Sequence, residues 1–358
     1  MQNSKKPGAG LKGLRSTVDT AEAGADDSTP AFSHLADLAS ARVGGRPIAT
    51  NDDFFASKSN LVKPEPAIFI AGKYTARGKW MDGWESRRRR TPGHDWCIVK
   101  LGMRGCIRGV DVDTSFFTGN FPPECSIDAI DAAAGFGVTA QMTSRSWTTI
   151  LPRTSLTGDS RNFLAVAEAL PWTHVRLNIF PDGGVARLRV YGDVVVDWAR
   201  VAPGRRAVDL AALRHGGLVL AASDVHYGAK DNMLMPGRAS NMGDGWETKR
   251  RRGPGHDWAI VRLGAPGVVT KLEIDTNHFK GNYPDQASVE GVFAPSASIE
   301  QLSSEAWREV LPASKLRAHN RHFFAKELRH RGPVSHLRLN LFPDGGVSRF
   351  RVHGTRAR

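Results

Sequence analysis

The sequence predicts an all-β protein, an antiparallel sandwich or jelly roll built twice in tandem. Two observations carry this. Residues 82–102, DGWESRRRRTPGHDWCIVKLG, return as 244–264, DGWETKRRRGPGHDWAIVRLG, an offset of 162 residues (244 minus 82). Residues 110–122 (VDVDTSFFTGNFP) and 174–192 (HVRLNIFPDGGVARLRVYG) return at the same offset, as LEIDTNHFKGNYP and HLRLNLFPDGGVSRFRVHG. A period this long marks a whole domain, not a solenoid unit, and 358 residues suit two domains. Within each copy, short apolar or alternating runs are separated by Gly, Pro, Asn and Asp, the pattern of short strands and frequent turns.

Taken in order, residues 1–30 hold Gly, Ser, Ala and charge with few large apolar side chains, and read as a disordered tail. The first repeat spans 31–198 and opens on a short helix or ordered lead-in at 32–38. Residues 52–60 resemble 224–232 at an offset of 172 (224 minus 52), so the first repeat carries about ten extra residues before its DGWE. These fall near 63–78, where Pro64 and Pro66 mark a surface excursion. Residues 97–101 and 259–263 are apolar runs, and 107–113 and 268–275 alternate at strand period. Residues 155–170 and 314–328 read as loops or short helices across one end. Residues 175–180 and 185–191, flanking Pro-Asp-Gly-Gly, read as a hairpin, and 337–353 repeats it. Leu177, Ile179, Leu339 and Leu341 face one side of it, and Arg176, Asn178, Arg338 and Asn340 the other. Residues 199–215 form a connector with a short helix at 208–213, and the second repeat spans 216–358.

Composition narrows the function. Cys97, Cys106 and Cys125 all lie in the first repeat, so the fold needs no disulfide, and a reducing, cytoplasmic setting is expected. No run of 18 apolar residues predicts a membrane span. Lys5, Lys6 and Lys12 precede no apolar segment, which argues against a secretory leader. A net charge of +13 raises an anionic substrate or nucleic acid as partner. No stacking-aromatic or helix-turn-helix pattern accompanies it, so no nucleic-acid partner is expected.

The doubled block gathers acids, bases, a His and two Trp. Pro-Gly before His-Asp makes a turn that exposes a His at a strand start, so His94–Asp95 and His256–Asp257 are candidates for acid–base work. Of three consecutive arginines, one can hold a carboxylate bidentately while the others are solvated or salt-bridged; Arg250 and Arg252 are the second-repeat candidates. Asp113 and Asp275 end a strand, and Asn120 and Asn282 offer donor and acceptor to an amide or ureido group. Asp182 and Asp344 read as turn formers. His226, His278, His319 and His322 make the second repeat richer in ionisable groups. His226 near Asp224, and His278 near Asp275, also suggest a divalent cation such as Mn2+, although no metal-binding spacing supports one. A P-loop, a dinucleotide fingerprint and a nucleophile elbow are absent.

Together the DGWE…RRR…PGHDW, DTxxFxGNxP and LNxFPDGGVxRxRVxG motifs, each present twice and in order, resemble the allantoicase (allantoate amidinohydrolase) family from about residue 38 to the end. The resemblance implies two jelly-roll, galactose-binding-like sandwiches and hydrolysis of allantoate to ureidoglycolate and urea, a step of purine breakdown. It leaves the cofactor open, with Mn2+ the ion to test. The acid–base groups of the second repeat place the expected catalytic site at His226, His256, Asp224 and Asp275. Arg250, Arg252, Asn282, Trp246 and Glu247 are expected to bind substrate. Asp52, Glu85, His94, Asp113 and Asn120 are their first-repeat counterparts. Met81 for Gly243, and Phe54 and Phe116 for His226 and His278, set the first repeat apart. A homo-oligomer is expected. The rival reading is a non-catalytic tandem jelly roll that binds carbohydrate.

Overall fold

The computed structural model describes residues 18–20, 29–132 and 146–357. In the first repeat the strands are β1 (Arg46–Thr50), β2 (Asp95–Asp113), β3 (Glu124–Ile130), β4 (Thr148–Ser155), β5 (Arg161–Ala165), β6 (Pro171–Phe180) and β7 (Arg187–Val194). The second repeat answers with β8 (Leu218–Ala222), β9 (Asp257–Asp275), β10 (Gln286–Val292), β11 (Arg308–Lys315), β12 (Arg321–Phe324), β13 (Pro333–Phe342) and β14 (Arg349–Arg356).

One 19-residue strand organises each repeat, β2 or β9. The first half of β2 pairs with β1 and β6, and β3 and β4 extend that sheet beyond β6. Its second half pairs with β5 and β7. A single strand therefore belongs to both sheets of the sandwich. Its period-two pattern explains this: Cys97, Val99, Leu101, Met103 and Ile107 are buried, while Lys100, Arg104 and Arg108 are exposed. Leu177 and Ile179 of β6 and Leu188 and Val190 of β7 meet in the core with fully buried Trp84. The main cluster of buried side chains runs through both repeats.

Several sequence expectations change. The residues flanking Pro-Asp-Gly-Gly are not a hairpin: β6 and β7 pair with opposite halves of β2 and not with each other. The segment is an arch between sheets. The segments read as end loops or helices contain β5 and β12, which pair with the long strands. Val18–Thr20, within the expected tail, pairs with Ile68–Ile70; the rest of residues 1–28 lies outside the described residues. The ten extra residues of the first repeat form a small hairpin, in which Tyr74 pairs with Lys79. Val208–Asp209 is a strand on β14, not a helix, so the second sandwich begins inside the expected connector. The lead-in is a short helical turn, Ala31–His34.

Arginines cross between the repeats: Arg214 donates to the Val43 carbonyl at 3.1 Å, and Arg42 reaches the other way to Asp244. In the first repeat buried Asp82 binds Lys63 at 2.8 Å and Arg187 at 2.6 Å. In the second, Asp244 and Arg349 repeat the pair, but Met235 stands in the place of Lys63. Arg42 of the first repeat crosses over and binds both Asp244 and Asn232. Arg42→Ala is expected to cost about 1.5–3 kcal/mol, the range for charge-assisted hydrogen bonds. Denaturant unfolding checks this, and a loss below about 0.5 kcal/mol, as at an ordinary surface site, would mean that Arg42 is solvated.

Candidate functional site

At one end of each sandwich the three repeated motifs meet. Trp84–Glu85 pairs with Gly184–Val185, and Trp246–Glu247 with Gly346–Val347. Gly183 has a φ of +144°, and a side chain there would lie 2.6 Å from the Pro122 nitrogen. Gly345 meets Pro284 in the same way. Glycine thus lets the Gly-Asn loop press onto the arch. The Gly184 and Gly346 N–H groups donate to the Asn120 and Asn282 carbonyls at 2.7 and 2.8 Å. Each asparagine is then aimed at a glutamate: Asn120 Nδ2 donates to Glu85 Oε1 at 2.7 Å, and Asn282 donates to Glu247 Oε1. Burial raises the Glu85 pKa; the Asn120 hydrogen bond and the charge of Lys79 offset this only in part.

The arginine tract divides by position. Arg89 turns inward to Asp95 at 2.8 Å, and Arg251 turns to Asp257. The backbone N–H groups of Arg89 and Arg251 donate to Asp182 and Asp344, each at 2.8 Å. Those aspartates were read as turn formers, yet their side chains pin the neighbouring loop. Arg88, Arg90, Arg250 and Arg252 remain exposed. His94 and His256 are partly exposed, with ring centroids 4.7 Å from Phe180 and Phe342. Asp95 and Asp257 are buried anchors, also held by Asn51 and Ser223, which removes them from the acid–base candidates. Identical exposed residues in both repeats that pack nothing, above all Arg88/Arg250 and Arg90/Arg252, are the strongest functional signal within the chain.

The expected second-repeat site does not converge as one cluster. Trp246 is fully buried and donates to the Asp224 carbonyl, so it is a core residue and not a substrate contact. Asp224 accepts from the Lys249 N–H, and Asp52 from Phe54 and Arg87; both brace loops. His226 is exposed against Tyr227, beside Glu247. Asp275 accepts from Asn277 and lines a separate hollow with Glu273, Arg321 and Arg349, and Asp113 caps Ser115 likewise. His256 lines a third hollow, of about 430 Å³, on the outer face of the second repeat. What survives together is Glu247–Asn282 with the His226 backbone, and Glu85–Asn120 in the first repeat.

His278, His319 and His322 of the second repeat are framework. His322 accepts from the Arg317 N–H at 2.8 Å and bonds the Ile274 carbonyl. Asn162 serves Thr157 and Val112 in the same way. His319 accepts from the His278 N–H as Asp159 accepts from Phe116. The His278 ring bonds the Ala239 carbonyl. Among the described residues no three His, Cys, Asp or Glu side chains stand together to hold a metal ion. Sequence reasoning missed Arg251 as the inward arginine, and Glu290 and Glu309 beside His256; the alternation of β13 had pointed Arg338 and Asn340 to that face.

No helix among the described residues is long and apolar enough to cross a membrane. The allantoicase repeat family matches residues 36–195 and again 208–357. The chain is 51% identical over 334 residues to "Probable allantoicase 1" of Burkholderia mallei, covering 92% of this chain and 97% of that one. It is 50% identical over 325 residues to "Probable allantoicase" of Photobacterium profundum, covering 90% of this chain and 97% of that one. Among solved structures, the allantoicase of Saccharomyces cerevisiae superposes with a TM-score of 0.77 at 35% identity, covering 89% of this chain and 93% of that one. Fold, repeat and motifs agree, and this chain belongs to the allantoicase family.

Proposed function

We propose that this protein is an allantoicase that hydrolyses allantoate to ureidoglycolate and urea, and that the glutamate–asparagine ends of its repeats carry the chemistry. The observation that supports the reading is the twice-built end, where a half-buried Glu meets an Asn amide beside exposed arginines. Allantoate carries a carboxylate and two ureido groups on one carbon. Arg250 or Arg252 takes the carboxylate, and Arg88 and Arg90 are their first-repeat counterparts. Asn282 and Asn120 orient a ureido group. The bond between the central carbon and one ureido nitrogen breaks, that nitrogen takes a proton, and a water hydroxyl replaces it. Glu247 is the proton donor, with Glu85 its first-repeat counterpart; a carboxyl positioned by an Asn amide suits that role. A cytoplasmic location and self-association belong to the same reading, testable by fractionation and light scattering.

The test is urea release from allantoate, with and without chelator. Glu85→Gln/Glu247→Gln is expected to lower kcat by about 10²–10⁴-fold, the usual worth of a positioned proton donor. Wild-type turnover in that variant would remove the glutamates from the mechanism, and no urea from the wild type would remove the activity. Loss with chelator, restored by Mn2+, would add a cation to the site.

A further inference from the structure

We infer that the hollow on the outer face of the second repeat is a ureido-binding pocket, and that its first-repeat counterpart is closed by Arg153. The inference rests on the allantoicase reading and names which repeat receives substrate. Arg338 and Asn340 of β13 form the floor with Ser288 and Glu290 of β10. Arg338 donates to Glu290 at 2.8 Å, and Asn340 Nδ2 donates to Ser288 and Glu290 at 3.1 and 2.9 Å. Asn340 is only 3% exposed, yet its Oδ1 accepts no hydrogen bond. Glu309 adds a second carboxylate, and His256, Trp258 and Phe342 supply flat walls. Arg338 is spent on Glu290 Oε2, and Arg329 lies 3.3 Å from Glu309 Oε1, so the oxygens left over, Glu290 Oε1 and Glu309 Oε2, are acceptors. They suit a planar, uncharged group rich in N–H donors, which describes a ureido group. The tract bearing exposed Arg250 and Arg252 ends four residues before His256 and offers cations for a carboxylate on the same ligand.

The first repeat has the same floor: Arg176, Asn178, Ser126 and Asp128. Asn178 Oδ1 is likewise unpartnered. Two exchanges alter what lies above it. Thr149 stands opposite Asp128 where Glu309 stands opposite Glu290, and it donates to Asp128 at 2.7 Å. Arg153 stands where the second repeat has Ala313. Its guanidinium lies 4.4 Å over Phe180 and is tied to Glu124 at 2.7 Å. The side chain that covers one hollow is therefore absent from the other.

Ala313 is exposed, so Ala313→Arg can add the cover without disturbing the core. N-carbamoylglycine, a ureido carboxylate whose central carbon lacks the second ureido group, is titrated by calorimetry beside the urea assay. The wild type is expected to bind one equivalent per chain. Ala313→Arg should weaken binding at least tenfold and raise KM for allantoate, with its melting temperature unchanged. Arg153→Ala should raise the stoichiometry toward two. Undiminished binding by Ala313→Arg, two equivalents on the wild type, or no binding at all overturns the inference. Urea release that persists in Ala313→Arg leaves the reaction standing without this pocket. Binding by a wild type that releases no urea leaves the pocket standing without the reaction.

Discussion

Asp82→Ala is expected to destabilise the protein by about 3–5 kcal/mol, the cost of leaving a buried charge without its partner. Arg187 is 1% exposed, and besides Asp82 it touches only carbonyls, including those of Glu65 at 2.9 Å and Pro66 at 3.2 Å. Carbonyl dipoles orient a guanidinium but do not neutralise it. Asp82 does, and burial pushes its carboxyl up less than Lys63 and Arg187 hold it down, so it stays below the usual carboxylate range. Asp82→Ala/Arg187→Met should regain much of the loss, because the stranded charge goes with its partner. Urea-induced unfolding of both variants is the measurement. A single variant within about 1 kcal/mol of wild type would mean that water reaches Arg187.

Acid is expected to unfold the protein through two histidines. His174 and His336 are 4% and 1% exposed, and their Nε2 atoms have no partner. Burial, aided by Lys100 for His174 and Arg262 for His336, pulls each down to about 4. The unfolded chain binds these protons near the ordinary histidine value of roughly 6.5, while the native state resists until about 4. Stability is intact above pH 6.5 and falls as pH drops between those values, by about 3 kcal/mol per histidine. Asp111 opposes this: burial pushes its carboxyl up to about 6, so the native state takes that proton first. The readout is therefore a difference. His336→Leu should flatten the slope of stability against pH by about 1.4 kcal/mol per unit between pH 6.5 and 4. A parallel slope in wild type and variant would show that His336 is protonated in the native protein.

The repeat, the all-β class and the inward faces of β6 and β13 were legible because each is local: a period of two, a glycine, a copy of the same words. The arch was not, because a Pro-Asp-Gly-Gly segment reads alike whether its flanks pair together or with two halves of a third strand. β5 and β12 were missed because polar side chains dominate RNFLA and RHFF, and partners on β2 and β9 decide their state. In the candidate site, Asn282, Glu247, Arg250 and Arg252 were read from their doubling, and the geometry keeps them at one end. Trp246 was misplaced because an aromatic in a polar motif looks like a ligand surface, whereas its depth depends on the sheet beneath it. The histidines misled because imidazole and amide can fill one hydrogen-bonding post, as His322 and Asn162 do.

The crossing of Arg42 makes the two halves unequal as separable parts. The first carries both cations for Asp82, so excised alone it would keep that carboxylate paired twice. The second keeps Arg349 on Asp244 but borrows its other cation, so excised alone it would hold that carboxylate with one cationic partner instead of two. Synthesis proceeds in the order of that dependence: the self-sufficient half leaves the ribosome first and waits, with its arginine extended, for the half that needs it.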